Sequence, residues 1–293
     1  MEDSPQSDPT TTAEGATGVV VIDVGGSAQP YLRVLTNLSR VRVIGFLDLS
    51  NANGDAAGAT ADLRSTDPRI ATEWDGVDAF VHCGRLAGDP ESVAVVAASG
   101  KPLFVDSRAG RRRADAQTVR ACIETGEIGR VVFARFAAAG EHFAWQQQAH
   151  VLDMLGWWIG EEPDTVYAQR NHDHESVTVR YVDGATAVCD ISSAGPSYRE
   201  VALIGESASM SLTWADHSSV LLSNGAAPQY LHGSPPLDAV LDAWLDDVRT
   251  GTAPIIDASE LEAAVALDGA IELSFASGQA AKVKAPQDDG SRA

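Results

Sequence analysis

Apolar residues in the first part of the chain come in short continuous runs. Residues 19–22 form a β-branched run that ends just before two glycines, and residues 41–47 form a second run that ends at Asp48. Continuous apolar runs of this length are typical of strands buried on both faces. Between them, apolar side chains recur at helical spacing: Tyr31, Leu32, Leu35 and Leu38. The order strand, turn, helix, strand predicts a βαβ unit with parallel strands.

The same alternation continues to about residue 125. Strands are predicted at 77–81 and 102–105, and helices at 92–99 and 119–125. Strands that alternate with helices favour a parallel sheet covered by helices on both faces.

The pattern changes after Gly129, where strand-like stretches follow one another with few helices between them. Many of these stretches alternate apolar and polar residues, as a half-exposed antiparallel sheet does. They are residues 130–136, 165–170, 176–181, 186–191, 198–204 and 209–212. We expect some strands to carry apolar residues on both faces: Val201, Leu203, Met210 and Leu212. Helices are predicted at 147–159, 237–248 and 260–276.

These patterns predict an α/β protein of two domains. Residues 18–128 form a Rossmann-type domain with a parallel sheet, and residues 129–284 form a C-terminal α+β domain with an open antiparallel sheet. Residues 1–17 are predicted to be a disordered acidic tail and residues 285–293 a flexible tail, because both lack large apolar side chains.

The charge balance narrows the classes of partner. The formal net charge is −20, from 41 acidic and 21 basic residues, and only three of the basic residues are lysines. An acidic surface repels phosphate backbones and anionic lipids, so no nucleic-acid or membrane partner is expected. A general solubility bias and adaptation to a salty interior both explain the charge. With no secretory signal and no apolar run long enough to span a membrane, a cytoplasmic location is expected.

Other candidate chemistry is sparse. The three cysteines are far apart in the sequence and are expected to be free thiols. His172 and His174 lie near Asp173, but spacing fixes no third ligand, so a polar loop is favoured over a metal site and no metal is expected. The basic run 111–113 is interpreted as a solvated helix start.

The order of elements resembles the glucose-fructose oxidoreductase/inositol dehydrogenase/MocA (Gfo/Idh/MocA) family of NAD(P)-dependent dehydrogenases. The resemblance covers about residues 19–284 and is carried by four stretches together. They are the strand Gly-Lys-Pro-Leu-Phe-Val at 100–105, the crossover Gly-Glu-Ile-Gly-Arg-Val at 126–131, the helix from His150 to Trp158, and Ala-Ile-Glu-Leu-Ser-Phe-Ala-Ser-Gly at 270–278. It implies a dinucleotide-binding domain followed by a second domain with an open sheet.

The family's glycine-rich turn is altered in this chain. Gly25, Gly26 and Ser27 match the part that approaches the pyrophosphate, but Asp23 stands where the first glycine is expected. A carboxylate beside a pyrophosphate is repulsive, so the resemblance implies a weakened cofactor site or a Rossmann fold that no longer holds a cofactor.

Further candidates stand at positions where the family contacts its cofactor, although the usual Ala-Thr-Pro near the nicotinamide ribose is replaced here by residues 82–84. Asp48 ends the second strand, where an acid accepts hydrogen bonds from the adenosine ribose, so NAD is favoured over NADP. A solvated turn residue is the alternative for Asp48. His82 and Gly84 follow the next strand near the nicotinamide ribose, and Arg85 is a further candidate for contact with an anion.

The resemblance implies a catalytic lysine after the strand at 102–105, and this chain has Ser107 there. Asp106 keeps the preceding acid, near the ribose, and Arg108 follows it. Serine supplies neither a positive charge nor a proton in the required range. An arginine supplies charge but is a poor proton donor at neutral pH.

The family's remaining pair is an aspartate followed four residues later by a histidine. His150 matches the histidine and is the candidate general acid–base residue, but Gln146 stands at the aspartate position. His150 is therefore expected to lack its carboxylate partner. Asp153, one turn on and on the same helix face, is a candidate to orient His150, but it looks structural in the family.

The sequence thus predicts an oxidoreductase-family protein that binds NAD(P), weakly or not at all, and acts on a sugar, polyol or similar hydroxy compound with impaired catalysis. Two alternatives stay open: a non-catalytic binding or regulatory protein, and a scaffold subunit of a hetero-oligomer. A homodimer or homotetramer is expected, because the family's open sheet packs against a partner.

Overall fold

The structure is a computed structural model that describes residues 15–23, 28–48, 63–84, 90–140, 147–215, 218–223, 228–232, 237–253 and 258–284. The two predicted tails, 1–17 and 285–293, therefore lie almost entirely outside the described residues. Two β-sheets organise the described part, and each has its own apolar core.

The first sheet is parallel, as predicted, and it has five strands. They are β1 (Thr17–Asp23), β2 (Val41–Asp48), β3 (Leu63–Ser65), β4 (Ala79–Cys83) and β5 (Leu103–Val105), in the order β3-β2-β1-β4-β5. The connecting helices are α1 (Gln29–Asn37), α2 (Pro68–Thr72) and α3 (Pro90–Ala98). The continuous apolar run at 19–22 is fully buried, as expected of a central strand covered on both faces.

A short 3₁₀ helix, Asp106–Arg112, follows β5 and leads into α4 (Ala114–Glu124). We call residues 106–112 the 3₁₀ segment. The chain then crosses to the second sheet through Gly129, which has a φ of +72° and would meet Ser207 if it carried a β-carbon.

The second sheet has nine strands and is mostly antiparallel, with one parallel pair between β6 and β9. Its order is β13-β12-β11-β10-β6-β9-β8-β7-β14. The strands are β6 (Val131–Ala139), β7 (Pro163–Arg170), β8 (His174–Tyr181), β9 (Thr186–Ser192), β10 (Tyr198–Gly205), β11 (Ser209–Ala215), β12 (Ser218–Ser223), β13 (Gln229–His232) and β14 (Ala281–Lys282). The helix α5 (Gln147–Ile159) packs on this sheet. The predicted fold class is confirmed.

One expectation about this sheet is wrong. Val201, Leu203, Met210 and Leu212 do not lie on two faces, because all four belong to the buried cluster on the side of α5. Each strand contributes alternate residues to that inner face, and β10 and β11 pair Val201 with Leu212 and Leu203 with Met210. The outer face of β10 instead carries residues such as Ile204, which is 47% exposed.

The last two helices return to the first sheet. In α6 (Leu237–Thr250) the predicted apolar face packs against α1 and the parallel strands, with Trp244 edge-on to Phe104 at 5.4 Å between ring centroids. The helix α7 (Ala258–Ser277) contacts both cores, through Leu261 at the first sheet and Ile271 at the second. None of the helices described is long and apolar enough to cross a membrane.

Candidate functional site

Most predicted site residues gather at one edge of the first sheet. Parallel strands point their carboxyl ends to the same edge, and open α/β sheets bind ligands outside that edge. Asp48 ends β2, His82 and Gly84 lie at the end of β4, and Asp106 directly follows β5. The predicted residues Gly25, Gly26 and Ser27, as well as Arg85 and Gln146, lie outside the described residues.

The strand ends bring two acidic positions together. Asp23, the last residue of β1, is in register with Asp48 of β2 and with Cys83 of β4. The residue that replaces the first glycine of the turn thus lies next to the residue expected to hold the ribose.

His150 has a carboxylate partner after all. Its Nε2 lies 2.9 Å from Oδ2 of Asp106, and the two side chains are 29% and 19% exposed. The expectation that His150 lacks a carboxylate is therefore wrong, because the acid comes from another element rather than from one helical turn earlier. This contact joins the end of the first sheet to α5 on the second sheet.

Tyr31 completes a chain of three polar groups. Its hydroxyl donates a hydrogen bond to Oδ1 of Asp106. Tyr31 lies in the first turn of α1, is 5% exposed, and packs 6.4 Å from the ring of Phe104. Both carboxylate oxygens of Asp106 are thus engaged, one by a buried tyrosine and one by the histidine. Sequence reasoning missed this residue because Tyr31 also fits the apolar spacing of α1.

This arrangement decides which nitrogen of His150 can take up a proton. An ionised carboxylate accepts hydrogen bonds only, so the imidazole Nε2 carries the hydrogen that faces Asp106. The neutral ring then leaves Nδ1 as its proton acceptor. A carboxylate that fixes the tautomer of a histidine is a common arrangement for general acid–base work.

His82 is fully buried at the end of β4. Its neighbours in register are Ile22 of β1 and Val105 of β5, so the residue lies inside the sheet. Gly84, two residues on, has a φ of +99°, a left-handed conformation that favours glycine. The backbone therefore turns sharply just past the strand end.

The basic run at 111–113 is not solvated, contrary to the sequence interpretation. Arg111 makes two hydrogen bonds of 2.6 Å with Asp153, and Arg112 lies 2.9 Å from Asp247 of α6. Arg113 pairs with Asp115 in the first turn of α4. The three arginine side chains are 26%, 29% and 17% exposed. Arg111 and Arg112 thus bind the 3₁₀ segment to α5 and α6.

The contacts of Arg108 indicate a structural role rather than a catalytic one. Its guanidinium group is 12% exposed and pairs with Glu260 of α7, whose carboxylate and main-chain oxygen both accept from it. Asp153 lies 3.8 Å from the same guanidinium group and is committed to Arg111, which agrees with a structural role. A cavity of about 200 Å³ lies between α5 and α7, beside these ion pairs. The side chain of Ser107 lies outside the described residues.

The loop with two histidines is polar, as expected. Asn171 accepts hydrogen bonds from the main-chain N–H groups of Asp173 and His174, which forms the turn between β7 and β8. Among the residues described, no group of three or more histidine, cysteine or acidic side chains is arranged to hold a metal ion.

Comparison with known proteins gives a likeness of structure alone. No protein-family model matches the sequence, and no curated protein matches it.

Several solved dehydrogenases share the fold over nearly their whole length. An oxidoreductase from Agrobacterium radiobacter, in complex with NAD+, L-tartaric acid and magnesium, has a TM-score of 0.64 at 16% identity over 91% of this chain and 98% of that chain. Scyllo-inositol dehydrogenase from Lactobacillus casei has a TM-score of 0.62 at 12% identity, over 92% and 98%. Levoglucosan dehydrogenase, in complex with NADH and L-sorbose, has a TM-score of 0.61 at 14% identity, over 92% and 100%. The chain has the fold of the Gfo/Idh/MocA dehydrogenases, as the sequence resemblance implied.

Proposed function

We propose that this protein is a divergent NAD(P)-dependent oxidoreductase of a small hydroxy compound, in which His150 held by Asp106 handles the proton. The observation that carries the proposal is the 2.9 Å contact between these two side chains, at the carboxyl edge of the parallel sheet. Proteins of the same fold are solved with NAD+ or NADH.

The residues at this edge partly fit a dinucleotide. Asp48 stands at the end of β2, where an acid holds the adenosine ribose, and α1 begins shortly after β1, as in dinucleotide-binding folds. An acid at the ribose also repels a 2′-phosphate, so NAD is favoured over NADP. Asp23 disfavours a pyrophosphate, because both groups are negatively charged. We infer from this that the dinucleotide binds weakly.

The nicotinamide would supply the hydride chemistry, and the protein supplies the proton relay. His150 takes the proton from the substrate hydroxyl through Nδ1, because Nε2 is turned to Asp106. Asp106 stabilises the resulting imidazolium, and Tyr31 keeps the carboxylate oriented. Tyr31 thus contributes orientation, and Asp106 contributes charge stabilisation.

Catalysis is proposed to be slow because one positive charge is missing. Ser107 stands where the family resemblance implies a lysine, and the nearby cations Arg108 and Arg111 are committed to Glu260 and Asp153. Acid–base help contributes about 10²–10⁴-fold to rates. A site with the histidine but without the lysine keeps only part of that gain.

The test is turnover with NAD+ on a panel of sugars, polyols and hydroxy acids. We expect rates below about 1 s⁻¹ for the wild type, and a further loss of about 10²-fold or more in His150→Gln. His174→Gln is the matched control, because His174 also faces a carboxylate, Asp190 at 3.8 Å, but on another element. Turnover that is unchanged in His150→Gln would refute the assigned role.

A second variant tests the missing charge. Ser107→Lys restores the cation, and we expect it to raise the rate on whichever substrate the wild type accepts. A rate that stays the same or falls would mean that this position does not face the reacting hydroxyl.

A second candidate function is a non-catalytic protein that binds a nucleotide or metabolite in the same cleft. The observation in its favour is the adjacency of Asp23 and Asp48, which disfavours the ordinary mode of pyrophosphate binding. Saturable ligand binding without any turnover on the panel would support this candidate over the first.

A further inference from the structure

Two arginines meet at one tryptophan on the inner face of the second sheet. The guanidinium carbon of Arg113 lies 5.3 Å from the ring centroid of Trp214, and that of Arg199 lies 5.1 Å from it. Arg113 comes from the start of α4, and Arg199 comes from the start of β10. A carboxylate also belongs to this group: the side chain of Asp115 is fully buried and pairs with Arg113.

The carboxylate of Asp115 already accepts four hydrogen bonds. Asp115 accepts from Nε and Nη2 of Arg113 at 3.0 and 2.7 Å, from the indole N–H of Trp214 at 2.6 Å, and from the main chain of Ala116 at 2.8 Å. These bonds hold Arg113 and Trp214 in place and leave one net positive charge on the group.

Arg199 is the arginine of this group that has no acidic partner among the described residues. Its side chain is partly buried, and no hydrogen bond or ion pair joins it to any residue of the described part of the chain. Nη1 of Arg113 likewise has no acceptor among the described residues. A guanidinium group offers five N–H donors, so donors of both arginines are left for a further acceptor.

The electrostatics favour a negative group beside Arg199. Burial lowers the pKa of Arg199, and the charge of Arg113 lowers that pKa further, while Asp115 opposes the change. A second negative charge at this point would relieve the repulsion between the two guanidinium groups. In a chain with a net charge of −20, such a local excess of positive charge stands out.

We propose that Arg199, backed by Arg113 and seated over Trp214, binds the anionic group of a small molecule, either a carboxylate or a phosphate ester. The planar fork of arginine matches both groups. Binding of an anion here does not require turnover, because Arg199 and Arg113 lie outside the Asp106–His150 pair.

The place of this site in the fold links it to the 3₁₀ segment. The main-chain N–H of Arg113 donates to Gly110 at 3.3 Å. A β-carbon built on Gly110 would lie 3.8 Å from the carbonyl oxygen of His150. The anion site and the proton-handling pair therefore share one short, closely packed stretch of backbone.

The test is NMR of the indole N–H of Trp214 during titration with inorganic phosphate and, separately, with acetate at constant ionic strength. The signal is assigned from the spectrum of Trp214→Phe. We expect a saturable shift with at least one anion: phosphate alone indicates a phosphate ester, acetate alone a carboxylate, and both a site without discrimination.

Substitutions of single arginines test whether Arg199 is the residue that binds the anion. Arg199→Gln is expected to weaken the binding about 10- to 100-fold, the value of one charge-assisted contact. Arg180→Gln, the same change at an exposed arginine of β8, is expected to leave it unchanged. If Arg199→Gln fails to fold, Arg199→Lys keeps the charge without the planar fork and should weaken binding to a smaller extent.

Two results would overturn the proposal. One is the lack of a saturable shift with either anion up to about 100 mM, since a site for a single anionic group should show at least a weak affinity. The other is equal binding by the wild type and by a folded Arg199→Gln variant.

Discussion

At the scale of single residues, the proposed proton transfer depends on which side chain faces His150. The sequence indicated the histidine, and Gln146 suggested that its acid was lost. The structure supplies Asp106 in its place, 44 positions earlier in the chain. Helical spacing detects only partners on the same helix, so a partner that reaches across from the end of β5 could not be predicted from that pattern.

The first prediction concerns the tautomer of His150. In the wild type, heteronuclear NMR of the imidazole nitrogens should show the hydrogen on Nε2, because the carboxylate of Asp106 can only accept. Asp106→Asn should shift the population toward the Nδ1–H form, since an amide can donate to Nε2. A wild-type ring with its hydrogen on Nδ1 would contradict the assigned roles.

At the scale of elements, the 3₁₀ segment and the start of α4 hold the site together. Ion pairs connect this stretch to α5, α6 and α7 through Asp153, Asp247 and Glu260. The sequence showed these arginines as a solvated run, because charge alone does not reveal whether acidic partners from distant elements come near. Short elements such as β3, β14 and the 3₁₀ segment itself were also missed, since two to seven residues carry too little periodicity.

The second prediction concerns Asp115 at the start of α4. Burial raises its pKa, but the hydrogen bonds and charge of Arg113 and the hydrogen bond from Trp214 outweigh this and lower the pKa below its usual value. The unfolded chain therefore takes up a proton first, so the stabilisation is present above about pH 4 and is lost as the pH falls below that value.

Denaturant unfolding measures this contribution. Asp115→Asn should lower the free energy of unfolding at pH 7 by about 3 kcal/mol, because it leaves Arg113 without its buried partner. The loss should shrink in acid. Asp238→Asn is the control, because Asp238 also accepts from the next main-chain N–H, at 2.8 Å, but is exposed. Equal effects of the two variants would contradict the account.

At the scale of the whole molecule, the sequence predicted the two sheets and the order of their strands along the chain. Long runs of alternating or continuous apolar residues made this possible. It did not predict that α6 packs on the first sheet rather than the second, because an amphipathic face does not specify its partner. Alternation alone puts Val201 and Leu203 on one face of β10, but the pairing register was needed to place Leu212 and Met210 of β11 beside them.

The third prediction concerns salt. With a net charge of −20 and three lysines, repulsion at low ionic strength should be large. The melting temperature should rise between about 0.1 and 2 M KCl, as the Debye length falls from about 10 Å to below 3 Å. A flat or falling melting temperature over this range would be evidence against this explanation.

The fourth prediction concerns self-association, through the outer face of the second sheet. Ile204 and Phe133 are paired there, and Tyr198 is 47% exposed on the same strand. Sedimentation should show a dimer or tetramer, and Ile204→Glu should dissociate it. Ile70→Glu, at a residue 51% exposed on α2, should not. A wild-type monomer at micromolar concentration in molar salt would be the contrary result.

The central claim is that the carboxyl edge of the first sheet binds a nicotinamide dinucleotide, and a fluorescence titration with NADH tests it most directly. We expect a saturable change with a dissociation constant at or above the upper end of the ordinary range, about 1 mM, weaker binding of NADPH, and displacement by NAD+. Asp23→Gly should tighten the binding, because it removes the acid next to Asp48. Failure of both the wild type and Asp23→Gly to bind NADH or NADPH at several millimolar would contradict the claim.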